Sequence, residues 1–422
     1  MDIKETLEYI DSLQWFGSKP GLSRVAELLN KLGDPQKKLK FVHIAGTNGK
    51  GSCAAMAASV LKAAGYRTGL FTSPCLVRFN ERMQINGQEI ENEELAALIT
   101  ELKPIAEAMD EHPTEFELIT AAAMLWFARQ RCDIVVLEVG LGGRLDATNV
   151  IDKPEAAVIM NIGLDHTRVL GDTVELIAAE KAGIIKPGCE CVLYQQSESV
   201  ERVIAARCEQ LDARLHKADF SLINKEFDSL EGQVFSYKGD AYAIPLLGAN
   251  QLKNAAVVVE LANVLRGKGW RIAQEDLEHG LYAVSWPARF ELVHDEPPFV
   301  VDGGHNPQCA ATVVKNLENY FPDKKRVLLV GVLGDKDYPE LCRILSAAAD
   351  EFVCVTPDNS ERALPAEQLA EELRQYNKPV AVCDSIEDGV SAATDAAGAD
   401  GMVCAVGSLY ISGVVRACFG LR

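Results

Sequence analysis

The chain has 422 residues, 48% hydrophobic and 24% charged. That composition excludes global disorder and, at about 150 residues per domain, suggests two or three domains. Lys and Arg number 42 against 61 Asp and Glu, a formal charge of −19, which excludes a protein that coats nucleic acid or an anionic membrane through bulk charge.

The chain opens on an acidic segment without the apolar core of a signal peptide, and no apolar run approaches the roughly 18 residues that span a bilayer. Residues 39–45 form a short apolar run before a glycine-rich turn, and 52–64 read as an Ala-rich helix stopped by Gly65. Residues 133–139 and 156–162 read as buried strands. Strands alternating with helices predict a mainly parallel sheet covered on both faces. Between 190 and 247 the pattern weakens, and 234–237 and 242–246 predict a small antiparallel appendage around Lys238-Gly239-Asp240. After Ser285-Trp286-Pro287 the alternation restarts, with strands at 299–301, 327–332, 352–355, 379–383 and 402–406 and a helix at 365–376. The last 132 residues hold 21 acids and 11 bases, about twice as acidic per residue as the rest. The chain therefore divides into 1–290 and 291–422. The second part predicts a smaller Rossmann-like domain, and it lacks the GxGxxG of a dinucleotide site. Twelve cysteines form no CxxC pair, so a zinc ribbon or thioredoxin-type site is not expected. Reduced thiols in a soluble cytoplasmic protein are.

The strongest motif is Gly46-Thr47-Asn48-Gly49-Lys50-Gly51-Ser52, between a strand and a helix. Glycines let backbone N–H groups curl toward an anion, the helix N-terminus adds partial positive charge, and Lys50 supplies a full one. The pattern departs from a strict Walker loop. Ile44 stands where the first glycine belongs, and Gly51 follows the lysine. A second signal is Glu138, a carboxylate closing the apolar strand Ile134, Val135, Val136, Leu137. Such a charge needs a partner or a metal, and ligands bind at strand carboxyl ends in these sheets.

The loop resembles the ATP loop of folylpolyglutamate synthases, members of the Mur ligase superfamily. So do, in order, Phe16-Gly-Ser-Lys-Pro-Gly-Leu22, Thr72-Ser-Pro74, Phe116-Glu117, Glu138-Val-Gly-Leu-Gly-Gly-Arg-Leu-Asp-Ala-Thr-Asn149, Asp165-His166, Glu180-Lys-Ala-Gly-Ile184, Trp286-Pro-Ala-Arg-Phe290, Asp302-Gly-Gly-His-Asn-Pro307, Asp335-Lys-Asp337 and Gly407-Ser-Leu-Tyr410. The resemblance implies a P-loop ATPase domain with a mostly parallel α/β sheet and a Rossmann-like glutamate-ligase domain. It implies an ATP-dependent amide ligase that adds L-glutamate to folates, and to dihydropteroate, through an acyl phosphate. Another superfamily ligase acting on a UDP-linked peptide is opposed by Gly51 and the 16–22 segment. A non-catalytic ATP-binding protein is opposed by the intact Lys50, Glu138, His166 and Lys181. No guanine-reading Asn-Lys-x-Asp points to a GTPase.

By the same resemblance, the ATP contacts are Gly46 to Ser52, Asn254, Arg289, Asp302 and His305. Two Mg²⁺ ions would be held by Ser73, Glu138, His166 and Lys181. Lys181 would be carbamylated by CO₂, turning a cation into an oxygen ligand. Folate contacts would be Gly21, Leu22, Phe116, Glu117, Leu145, Asp146 and Ala147. Glutamate contacts would be Asp335, Lys336, Asp337 and Ser408. The partners expected are these small molecules alone, acting on a monomer. Three positions depart from the family pattern: Cys75 for His, Ala288 for Gly and Gly304 for Ala.

Overall fold

The computed structural model describes residues 1–13, 21–358 and 362–421, so 16–20 of the first family segment lie outside the described residues. Backbone contacts divide the chain into two units. One is Met1–Asn224, Ser236–Tyr242 and Lys253–Val284; the other is Lys225–Phe235, Ala243–Leu252 and Ser285–Arg422.

The strands in chain order are β1 (Phe41–Ala45), β2 (Thr68–Phe71), β3 (Met83–Ile85), β4 (Gln88–Glu89), β5 (Ile134–Glu138), β6 (Ala156–Ile159), β7 (Glu190–Leu193), β8 (Arg214–Lys217), β9 (Asn224–Ser229), β10 (Gly232–Tyr237) and β11 (Asp240–Ile244). They continue with β12 (Glu291–Asp295), β13 (Pro298–Asp302), β14 (Arg326–Val330), β15 (Glu351–Cys354), β16 (Val380–Val382) and β17 (Met402–Val406). The helices that concern the sites are α1 (Ile3–Ser12), α2 (Ser23–Lys31), α3 (Lys50–Ala63), α4 (Asn92–Glu107), α5 (Glu115–Arg129), α6 (Thr167–Leu170), α7 (Val174–Lys181), α8 (Glu198–Gln210), α9 (Ala249–Gly267), α10 (Gln274–Tyr282), α11 (Pro307–Tyr320), α12 (Tyr338–Leu345), α13 (Ala366–Arg374), α14 (Ile386–Ala397) and α15 (Leu409–Cys418).

The first unit is built on an eight-stranded sheet, β4-β3-β2-β5-β1-β6-β7-β8. From β2 to β8 every neighbouring pair is parallel, and the β3 and β4 edge is antiparallel. β1, β5 and β6 are wholly buried. That explains their continuous apolar runs, because a parallel sheet covered on both faces leaves no strand position for water. One apolar cluster gathers Phe71, Trp126, Phe127, Val135 and Leu137. Another gathers Ala45, Ile159, Ile177, Ile184 and Leu193.

The second unit holds a six-stranded sheet, β12-β13-β17-β14-β15-β16. Its strands are parallel apart from the antiparallel edge β12. The strands β3, β4, β7 and β8 of the first unit were not foreseen from sequence, and neither were β9 and β12. β12 has partly exposed residues throughout, so it lacks the apolar run that marks a buried strand. β9 is equally polar (Asn-Lys-Glu-Phe-Asp-Ser) and joins β10 and β11 in a three-stranded sheet. No helix among the described residues is long and apolar enough to cross a membrane.

Helix α3 carries the phosphate loop at its start, and its place is set by a close crossing with α10. An added Cβ on Gly280 would fall 2.4 Å from the Val60 Cα. Gly280→Ala is therefore expected to cost about 1–3 kcal/mol by forcing the helices apart, read as a lower denaturant midpoint. Gly267, with nothing within 4 Å of its Cβ position, is the control: Gly267→Ala should lose no stability.

Candidate active site

In the first unit β1 runs straight into the glycine loop. Gly49 has φ +83° and caps α3, and Lys50 is the first helical residue. That left-handed turn is what a glycine is needed for. At Gly46 the need is space, since a Cβ would lie 2.6 Å from the Met160 Cβ. The segment after β6 braces the loop. Thr47 and Asn48 both donate their N–H to the Asn161 carbonyl, at 2.7 and 3.2 Å. The Thr47 hydroxyl and Gly163 exchange two bonds of 3.1 Å. These two loop amides thus serve the fold rather than an anion. The amides of Lys50 and Gly51 open the first turn of α3, where N–H groups and the helix dipole face an anion, and buried Ser52 follows them. Lys50 Nζ folds back to the Thr47 carbonyl at 3.3 Å.

Lys181 ends α7 and is buried, donating from Nζ to the Gly46 carbonyl at 2.8 Å. Burial first, then the nearby charge of Lys50, brings its pKa down to about 7, against the opposing pull of Asp165 and Asp146. Its helix can come this close only because of two glycines. A Cβ on Gly143 would lie 2.8 Å from the Glu180 carbonyl, and one on Gly183 would lie 2.4 Å from the Arg144 Cβ. Glu180 turns the other way and pairs with Arg144 at 2.9 Å.

Glu138, buried at the end of β5, accepts the Ser73 N–H at 3.3 Å. Ser73 and Glu138 are thereby brought together at adjacent strand ends. His166 is exposed and begins α6 with φ +50°. Its Nε2 lies 3.9 Å from Asp165. Asp165 was not singled out from sequence as a site group, although its charge acts on Lys181; its place beside His166 was the available signal. Among the described residues no three His, Cys, Asp or Glu side chains converge as a metal cage. Glu138 with serine hydroxyls fits the hard oxygen set of Mg²⁺, which typically takes one or two carboxylates and completes its shell with phosphate and water. Asn254, on α9, is buried against the loop, its Oδ1 2.8 Å from where a Cβ on Gly49 would sit.

The folate candidates have mixed fates. The Phe116 ring lies on Gly140, where a Cβ would meet it at 2.6 Å. Leu145 is half-buried and Ala147 buried beside it. Gly21 and Leu22 lead into α2. Glu117 is committed elsewhere. Arg24 grips both its oxygens at 2.9 and 3.0 Å, and it completes a capping box with Thr114. Asp146 is buried and caps the turn Ala147–Val150, accepting the N–H of Thr148 at 3.0 Å and of Leu141 at 2.8 Å. Cys75, half-buried, begins a loop held by Glu81, which takes the amides of Leu76, Val77 and Arg78.

In the second unit the carboxyl ends of β13, β17 and β14 lie side by side. Asp302, closing β13, accepts from Phe290 N at 2.9 Å and Gly304 N at 2.7 Å. Burial pushes its pKa up against the pull of Arg289. His305 Nδ1 is 3.1 Å from the Gly303 carbonyl. Arg289 sits between two left-handed residues, Ala288 at φ +54° and Phe290 at φ +49°. The glycine usual at 288 suits that backbone, and alanine costs about 1–2 kcal/mol there. Gly304 is needed, because a Cβ would lie 2.7 Å from both the Cys309 Cβ and Asp302. Three of the glutamate candidates have structural duties. Asp337 caps α12, Ser408 caps α15, and Asp335 pairs with Arg362 at 2.6 Å. The Lys336 N–H closes a turn onto Leu333.

The chain matches the Mur ligase middle domain over residues 44–262 and the Mur ligase, glutamate ligase domain over 288–409. It is 36% identical to the dihydrofolate synthase/folylpolyglutamate synthase of Bacillus subtilis (strain 168), covering 97% of this chain and 98% of that one. The folylpolyglutamate synthase of Mycobacterium tuberculosis, solved with ADP and AMPPCP, superposes with a TM-score of 0.90 at 33% identity over 100% of both chains. A bifunctional folylpolyglutamate synthase/dihydrofolate synthase solved with Mn, AMPPNP and L-glutamate gives 0.86 at 32% identity, over 100% of this chain and 98% of that one. The chain therefore belongs to the Mur ligase family, among its folylpolyglutamate and dihydrofolate synthases.

Proposed function

We propose that this chain is an ATP-dependent ligase that joins L-glutamate by an amide bond to a folate carboxylate, and to dihydropteroate. The observation that carries the reading is the buried Lys181 amine on the phosphate loop, in the unit where Glu138 and Ser73 meet at neighbouring strand ends. The names and bound nucleotides of the relatives support it. So do the matches to a Mur ligase middle domain over 44–262 and a glutamate ligase domain over 288–409. Twelve free thiols and the −19 charge suit a cytoplasmic monomer that handles small molecules.

A divalent ion supplies neutralisation of phosphate charge when bound; Ser73 and Glu138 would hold one Mg²⁺, and His166 with carbamylated Lys181 a second. The chain's own groups prepare the transfer. Lys50 and the α3 amides orient the phosphates of ATP, and Asn254, Arg289, Asp302 and His305 are assigned to the rest of the nucleotide. An oxygen of the acceptor carboxylate attacks the γ-phosphorus, and the bond to ADP breaks. The amine of glutamate then attacks the acyl carbon of the resulting acyl phosphate. Phosphate leaves and the amine proton goes to solvent. Phe116, Leu145 and Ala147 are assigned to the folate, and Lys336 is the cation suited to a glutamate carboxylate.

ADP formation should require both glutamate and a folate or dihydropteroate acceptor. ADP release with neither would overturn the reading. Lys50→Ala is expected to lower turnover at least about 100-fold by removing charge from the transferring phosphoryl group, with circular dichroism unchanged.

Carbamylation needs the neutral amine. With its folded pKa lowered to about 7, Lys181 is about one tenth neutral at pH 6 and about nine tenths at pH 8. At fixed dissolved CO₂, recovery of CO₂-depleted enzyme should therefore rise steeply between those values. Equal recovery at both would contradict a Lys181 amine that titrates near 7.

A further inference from the structure

His43 lies in the middle of β1, three residues before the phosphate loop, and is fully buried. Its Nε2 is 2.9 Å from the Thr148 hydroxyl, and its Nδ1 has no hydrogen-bond partner. Thr148 is also fully buried, and its hydroxyl bonds to Asp146 Oδ1. Chemistry sets the direction of this chain. Asp146 accepts the Thr148 and Leu141 amides, and the Gly140 amide also faces it, so the carboxylate is surrounded by donors. Thr148 has one hydroxyl proton, and it goes to the carboxylate. Toward His43 the same oxygen must accept, so the single proton of a neutral imidazole sits on Nε2. Nδ1 is then left as a bare acceptor, and the reverse order would bury an unpaired N–H, the costlier defect.

What Asp146 holds lies between two proposed reaction groups. Gly140 and Leu141 follow Glu138 after the single residue Val139. Two residues further, Gly143 is packed on the backbone of Glu180 and Lys181, and Arg144 donates to the Glu180 carbonyl at 2.8 Å. We propose that His43 is a positioning residue for the reaction. Acting through Thr148, it locks Asp146 onto the Gly140–Leu141 backbone and so holds Glu138 at one end of the loop and, through Gly143, the Lys181 end of α7 at the other. The inference rests on the roles proposed for those two residues.

The test uses the full chain and two readouts. Amide hydrogen exchange of the peptide covering 139–148 reads the clamp without turnover. His43→Leu and Thr148→Val should each speed that exchange about tenfold and lower kcat about tenfold, with KM for ATP changed less than about twofold. Thr148→Ser, which keeps the hydroxyl, and His43→Gln, which keeps a side-chain N–H, should restore both. Should His43→Leu fail to fold, the Val and Ser pair at Thr148 carries the comparison. Unchanged exchange in Thr148→Val would overturn the proposal, as would equal loss in Thr148→Ser. Glu138→Gln, assayed beside them, reports on the catalytic reading alone: full activity there would reject that reading while the exchange result still judges the clamp.

Discussion

The site depends on one contact, the buried Lys181 amine against the Gly46 carbonyl. Burying a lysine is costly, and its charge gives way before the fold does. Lys50 stands on the same loop and adds repulsion; Asp165 and Asp146 offset it only partly. The result is an amine poised near neutrality beside a phosphate loop. Much of the surrounding sequence follows from making this approach possible. Gly46 must lack a side chain to clear Met160, Gly143 to clear the end of α7, and Gly183 to clear Arg144.

This arrangement also resolves an apparent conflict of charge. The chain is strongly acidic, yet the ligands proposed for it are polyanions. Long-range repulsion is screened within about 8–10 Å at ordinary salt, so bulk charge says little about a recessed site. Lys50 places positive charge at the N-terminus of α3, where the backbone dipole adds to it. Local geometry therefore decides what binds, and the acidic surface governs what does not.

The phosphate loop, the buried strands β1, β5 and β6, and the strand-end carboxylate Glu138 were legible because each follows from a local pattern. The burial of Lys181 was not. Glu180-Lys181 reads as a charged pair on a solvated helix, and only the packing of Gly143 on α7 turns one residue in and the other out. Glu117, Asp337 and Ser408 carry a structural duty that the ligand reading did not include: each satisfies a helix N-terminus. The spacing Thr114 to Glu117 is a capping box visible in sequence, and Asp337 stands at an N-cap position just before a proline-initiated helix. The edge strands β9 and β12 escaped notice because exposed strands carry no apolar signature.

The account turns on Lys181 being an amine that takes up CO₂. The direct measurement is a carbon-13 spectrum of the active enzyme equilibrated with labelled bicarbonate. The account predicts a carbamate carbon signal that is lost in Lys181→Ala. Fully active enzyme without that signal would contradict it.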